Sequence, residues 1–249
     1  MSEPTTEYAI ETHGLAKQFG DVRAVAGLDL AVRRGELFAL LGVNGAGKTT
    51  TIRMLTTLAR PTGGTARVCG YDLLTESREV KRVSGISPQQ TAIAQGLTVR
   101  ENLMLMTRIF GATAAGARER TAALLEALSL SDVAERRAKV LSGGYQRRLS
   151  IALALASDPE VLYLDEPTLG LDVLARRELW HLIGRLRGEK TIVLTTHYLE
   201  EAEALSDRVG VMAGGRLLAV DTPDGLKKMT GCEKFEDAFI RLVGGEVEA

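Results

Sequence analysis

Lys48 and Thr49 close an octet, Gly42-Val43-Asn44-Gly45-Ala46-Gly47-Lys48-Thr49, whose spacing is G-x-x-x-x-G-K-[ST]. Glycines at those places let a backbone turn inward so that its N–H groups face phosphate oxygens. A helix beginning there adds partial positive charge. Lys48 is then placed to reach the β- and γ-phosphates of a nucleotide, and the Thr49 hydroxyl to ligate Mg²⁺. The flanks fit this chemistry: the apolar run ELFALL precedes the octet, and the helix-competent TTIRMLTTL, starting at Thr50, follows it. Asn44, Gly45, Ala46, Gly47 and Thr50 complete the expected cradle.

A second chemical feature is Val161–Asp172, VLYLDEPTLGLD, an apolar run that ends in two carboxylates. After a phosphate loop, an apolar strand ending in Asp at the sheet's carboxyl edge supplies the Mg²⁺-supporting acid, here Asp165. Side chains alternate along a strand, so Glu166 is expected on the other side, able to polarise a water for attack on the γ-phosphate. His197 ends the next apolar strand, TIVLT, and is expected on the same edge, within reach of a γ-phosphate oxygen and the attacking water. His13 and His181 have no such placement. A third feature, LSGGYQRRLS at Leu141–Ser150, looks like another anion-binding helix start, but it has no lysine in the loop position. Ser142 can be read there as a helix N-cap.

The elements that must position these groups alternate in type. Tyr8–His13, Leu28–Val32, Glu36–Leu41 and Ala66–Cys69, the last after the turn Pro61-Thr62-Gly63-Gly64, have strand character. So do Val161–Leu164, Thr191–Thr195 and Val209–Met212. Between Thr98 and Arg137 the chain turns to Leu/Ala/Glu/Arg-rich helix. The expectation is a layered α/β core over 1–90 and 141–225, a helical insertion over 91–140, and a short tail over 226–249 with a helix near Phe235–Leu242.

The 249 residues are 45% hydrophobic and 25% charged, enough for a sizeable core. The net charge of −1 offers no overall attraction to nucleic acid or an anionic membrane. Cys69 and Cys232 are far apart and read as reduced thiols. No run approaches the ~20 apolar residues of a membrane helix, and the start lacks secretory-signal character. The chain is expected to be soluble and intracellular.

Taken in order, GVNGAGKTT, LSGGYQRRL, VLYLDEP, TLGLD and TTHYLEEAE resemble the Walker A, signature, Walker B, D-loop and switch-histidine segments of the nucleotide-binding subunits of ATP-binding cassette (ABC) transporters. The resemblance spans about residues 8–225. It implies an α/β P-loop NTPase (RecA-like) core with an antiparallel β layer and an inserted α-helical subdomain. It also gives roles to less distinctive residues. Gln89 resembles the glutamine that bridges metal and helical insertion, with Gln90 one residue away as the alternative. Phe19 takes the place of the aromatic that stacks on adenine. Asp172 belongs to the D-loop, and also reads as a helix cap. Ser142, Gly143 and Gly144 are implied to hold the nucleotide bound to Lys48 of a second subunit. One departure stands out: Tyr145 occupies the usual glutamine position.

The implied activity is ATP hydrolysis with ATP and Mg²⁺ bound, Lys48, Gln89, Glu166 and His197 acting on the γ-phosphate, and two subunits closing head to tail. The partners implied are an identical or homologous ATP-binding subunit and separate transmembrane permease subunits, with no nucleic acid. The place implied is the cytoplasmic face of the membrane. LTVRENL, THYLEEAEALSDRV and EKFEDAFIRL resemble ATPase subunits of bacterial exporters of drugs, antibiotics, lipids or polysaccharides. Leu103, Met104, Met106 and Phe110 are candidates for a groove that receives the permease. The alternative is a soluble cassette ATPase of metal-cluster (iron–sulfur) assembly. A GTPase is disfavoured because no N-K-x-D motif is present.

Overall fold

The computed structural model describes residues 7–244. The chain opens with a long antiparallel hairpin, β1 (Tyr8–Phe19) and β2 (Val22–Arg33), and continues into β3 (Leu37–Gly42) and α1 (Lys48–Leu55). Next come β4 (Gly63–Val68), β5 (Tyr71–Asp72), α2 (Ser77–Val83) and β6 (Ser84–Ser87). Two helices follow, α3 (Val99–Ile109) and α4 (Ala114–Ala127), with short 3₁₀ turns at Ser131–Val133 and Ala138–Val140. The second half is α5 (Gly143–Ala154), β7 (Val161–Asp165), α6 (Val173–Gly184), β8 (Thr191–Thr196), α7 (Leu199–Leu205), β9 (Arg208–Ala213) and β10 (Arg216–Asp221). It closes with α8 (Pro223–Thr230) and α9 (Phe235–Gly244).

Two sheets result. One is antiparallel, in the order β2-β1-β4-β5; the other runs β10-β9-β3-β8-β7-β6, parallel except at its β10 edge. β3, β7 and β8 are buried along their whole length, as strands covered on both faces must be. Their alternate residues feed two cores. Leu37, Ala39, Leu41, Leu162, Leu164, Ile192 and Leu194 pack with the helices of the insertion and of α5 to α7. Phe38, Leu40, Tyr163 and Val193 pack with the antiparallel layer and α1. Leu226 and Phe235 belong to the first core, so α8 and α9 are seated on it.

The hairpin strands run further than their alternation suggests, and the reason is local. The β1–β2 register shifts between Thr12 and Leu15 and again beyond, so the period-two pattern breaks while pairing continues to Phe19. β4 likewise starts at Gly63, inside the expected turn, because Gly64 has φ +74° and lies against the backbone of Gly14. β6 reads Ser-Gly-Ile-Ser and carries little strand signal; it exists because Gly85 lets the Ala154 carbonyl approach where a Cβ would sit 2.2 Å away. The helical insertion begins with a full capping box, Thr98 accepting from Glu101 N and Glu101 accepting from Thr98 N. Both cysteines are free, and burial pushes the Cys69 thiol up to about 12.

A Cβ on Gly64 would lie 2.2 Å from Gly14 O. Gly64→Ala combines that clash with a left-handed backbone, so unfolding in urea is expected at a free energy lower by about 2–4 kcal/mol.

Candidate active site

β8 lies between β3 and β7, so the ends of all three strands share one edge of the parallel sheet. The loop after β3 is shaped by close backbone approach. A Cβ at Gly42 would meet Met212 O at 2.4 Å, and one at Gly47, φ +101°, would meet Ala24 O at 2.5 Å. Into this loop folds Lys48, 5% exposed, its Nζ donating to Gly42 O at 2.7 Å and Val43 O at 3.2 Å. Burial lowers the pKa of this ammonium, and the charges of Glu166 and Asp165 partly oppose that.

Asp165 ends β7 and is buried. Its Oδ1 accepts from Thr49 Oγ1 at 3.0 Å and from Thr195 Oγ1 at 2.6 Å. Thr195 in turn accepts from Glu166 N at 3.0 Å, so one hydroxyl ties both acids to β8. Thr195 was not among the expected site residues. Its signal was the polar pair Thr195-Thr196 closing an otherwise apolar strand.

Glu166 follows Asp165 directly. It lies one residue past β7 with φ +47°, a left-handed conformation that costs on the order of 1–2 kcal/mol in a non-glycine residue. Glu166 Oε1 lies 3.7 Å from Lys48 Nζ and 3.2 Å from His197 Nδ1, and Oε2 accepts from Gln89 Nε2 at 3.4 Å. All four residues expected to act on a γ-phosphate therefore converge.

They line a cavity of about 720 Å³ together with Phe19, Asn44 to Gly47, Thr49 and Thr50. That volume is in the range of small-molecule sites. Phe19 ends β1, half-exposed, with the Lys17 ammonium 4.7 Å from its ring centre. Leu169 and Gly214-Gly215 also line the cavity and were not anticipated.

Ser142, Gly143, Gly144 and Asp172 are not part of this lining. Ser142 holds the N-cap position of α5, yet its side chain makes no capping bond, so the helix start stays open. Gly143 and Gly144 lie beside Leu171 and Ala175. Asp172 does cap α6, accepting from Ala175 N at 2.9 Å. Tyr145 is half-buried, with the Arg148 guanidinium 5.1 Å from its ring. Behind His197, Glu201 is fully buried, accepts from Trp180 Nε1 at 3.0 Å, and has its pKa raised by burial.

A separate groove of about 280 Å³ lies between the core and the insertion, lined by Leu58, Ile86, Pro88, Met106, Phe110 and Leu153 among others. Of the candidates for such a groove, Met106 and Phe110 are there. Leu103 is not: it is fully buried in the core, because the apolar face of α3 turns inward at that position. Met104 is half-buried and does not line the groove.

Residues 25–169 match the family model described as ABC transporter. The chain is 46% identical over 231 residues to the daunorubicin/doxorubicin resistance ATP-binding protein DrrA of Streptomyces peucetius, covering 92% of this chain and 69% of that one. It is 44% identical over 230 residues to the Nod factor export ATP-binding protein I of Burkholderia orbicola, covering 91% and 75%. A solved ATP-binding subunit of an ABC transporter superposes with TM-score 0.83 at 28% identity, over 94% of this chain and 99% of that one. A dimeric ATP-binding cassette in a post-hydrolysis state with ADP and Pi superposes with TM-score 0.76 at 26% identity, over 86% and 98%. The chain belongs to the ABC transporter family, as an ATP-binding and ATP-hydrolysing subunit with the P-loop NTPase fold. Neither the family match nor these relatives support the iron–sulfur assembly alternative.

Magnesium suits the donors present. Thr49 Oγ1 and the Asp165 carboxylate, already 3.0 Å apart, are hard oxygen ligands beside a phosphate loop, leaving further positions to substrate phosphates and water.

The lowered pKa of Lys48 has a measurable consequence. Phosphate binding favours the ammonium, so nucleotide is bound with proton uptake wherever free Lys48 has begun to deprotonate. Affinity for ATP is flat at neutral pH and falls as pH rises, beginning below the ordinary lysine value of 10.5. Lys48→Met removes that slope and weakens binding about 10–100-fold, the worth of lost charge-assisted bonds. Equilibrium titrations with a fluorescent ATP analogue from pH 7 to 10 check both.

Proposed function

We propose that this ATPase works as half of a head-to-tail pair that powers the separate transmembrane subunits of an exporter. One observation carries the reading: the open start of α5, with Ser142 and Gly143 exposed and uncapped, lies outside the chain's own cavity. A helix start with free N–H groups attracts phosphate but without a lysine holds it weakly. It gains a task when a second copy presents its Lys48-bound γ-phosphate. Likeness to a cassette solved as a dimer supports this arrangement.

Within each site Lys48 and the backbone of Gly42–Thr49 neutralise the β- and γ-phosphates. Thr49 and Asp165, with Gln89, would hold Mg²⁺, which when bound would supply further positive charge at the phosphate oxygens. Glu166 orients water and accepts its proton as the new P–O bond forms and the bond to ADP breaks. His197 keeps the Glu166 carboxylate aimed and reaches a γ-phosphate oxygen. Phe19 stacks on adenine. The working unit is read as residues 1–225, with core segments 1–90 and 141–225 around a helical subdomain at 91–140, and 226–249 as an appended tail; residues 1–6 and 245–249 of these spans lie outside the described residues.

No helix among the described residues is long and apolar enough to cross a membrane. The chain acts at the cytoplasmic face, attached through permease subunits whose cytoplasmic helix enters the Met106/Phe110 groove. Relatives named for daunorubicin and doxorubicin resistance and for Nod factor export support a drug, antibiotic, lipid or polysaccharide as cargo.

Glu166→Gln should keep ATP affinity and lower turnover about 10²–10⁴-fold, the usual worth of a general base; near-normal phosphate release in that variant refutes the role. Ser142→Arg places a bulky cation at the shared phosphate. It should leave monomer ATP binding intact while abolishing ATP-dependent dimerisation on a sizing column, and persistent ATP-dependent dimers overturn the role of Ser142 at the partner's phosphate.

A further inference from the structure

Arg147 stands one turn into α5, is 5% exposed, and has no task in the site described above. Its guanidinium donates Nη1 to Pro88 O and Nη2 to Gln89 O, each at 2.8 Å. A buried guanidinium is costly unless its donors are met. Burial lowers its pKa, and the nearby charges of Asp165, Glu201 and Glu166 oppose that.

Two further contacts continue the seam. Ser150 Oγ and Ser87 Oγ share a hydrogen bond of 2.8 Å, and the Ala154 carbonyl packs onto Gly85. Positions 147, 150 and 154 form one face of the helix. They meet 88–89, 87 and 85 in turn, so α5 runs along β6 and over the loop that follows it. Gln89's own amide makes a long 3.4 Å contact with Glu166, too weak to set its place. Its backbone must do so, and Arg147 holds that backbone.

We propose that Arg147 is a positioning residue for hydrolysis: by gripping the Pro88 and Gln89 carbonyls it sets Gln89 opposite Glu166 and locks that loop to the helix carrying Ser142–Gly144. A helix that serves the partner's nucleotide is thereby rigidly joined to a loop that serves its own. Displacement of the α5 start on engaging a second copy moves Gln89 with it. The inference rests on Gln89 being a working residue of the site.

The test is a double-mutant cycle in the full-length chain, with steady-state ATP hydrolysis normalised to nucleotide sites titrated by a fluorescent analogue. Arg147→Met should lower kcat per site about tenfold or more with KM within about twofold. Arg147→Lys, which keeps the charge but lacks the forked donor, should fall between. Placed on Gln89→Ala, Arg147→Met should cost less than about twofold, because both changes remove one function. Fewer sites with kcat per site unchanged would mean a merely structural role and overturn the proposal. So would the full loss from Arg147→Met in the Gln89→Ala background. Wild-type kcat in Gln89→Ala alone would overturn the reading of Gln89 itself, a result distinct from the other two, and this proposal with it.

Discussion

The site depends on a buried positive charge. Lys48 Nζ lies over two main-chain carbonyls and 3.7 Å from Glu166, with the carboxylate of Asp165 adding to the field. An ammonium withdrawn from water needs such partners in place before substrate arrives. Meeting that need brings the ends of three adjacent parallel strands to one edge: β3 for the loop, β7 for the acids, and β8 between them for Thr195. The same arrangement suits phosphate. In the proposed function, a polyanion entering the loop would replace the carbonyls around the lysine and meet dipoles already oriented, so little reorganisation would be required.

Glu166 shows how backbone strain serves this arrangement. It stands just past β7 in a left-handed conformation, and its carboxylate lies 3.7 Å from the Lys48 ammonium. The bonds from Glu166 N to Thr195 Oγ1 and Thr195 O hold that conformation against its cost. Around the carboxylate stand Lys48, His197 and Gln89, drawn from three separate stretches of chain. Gln89 makes a long 3.4 Å contact there, and the guanidinium of Arg147 ties its backbone to α5. The groove lined by Pro88 and Met106 adjoins the same loop. A protein seated there would press on the backbone that carries Gln89.

Much of the chemistry was legible in the chain because it is local. The phosphate octet, the Asp165-Glu166 pair and the LSGGYQRRL stretch each encode their chemistry within about ten residues, and strand or helix type follows from the apolar pattern around them. The octet and the acids meet on one sheet edge because parallel strands end on a common side. Less legible were elements whose existence depends on a neighbour. β6 is a strand because Gly85 admits the Ala154 carbonyl, and β4 begins early because Gly64 lies on Gly14. Leu103 reads as one more apolar residue of α3, and only packing shows that it turns into the core while Phe110 stays at the surface.

Sequence by itself determined which groups are present and in what order: the lysine in its glycine loop, the acids at a strand end, the helix start that lacks a lysine. Tertiary structure decided which of them meet. It brought Glu166 to within 3.7 Å of Lys48, bonded Thr195 to both acids, and joined Arg147 to a loop 58 residues away. The physical reason is range. Loop shape and strand type are set by neighbours in the chain, whereas a buried charge is satisfied by whatever donor or acceptor the packing of separate elements brings within about 3 Å.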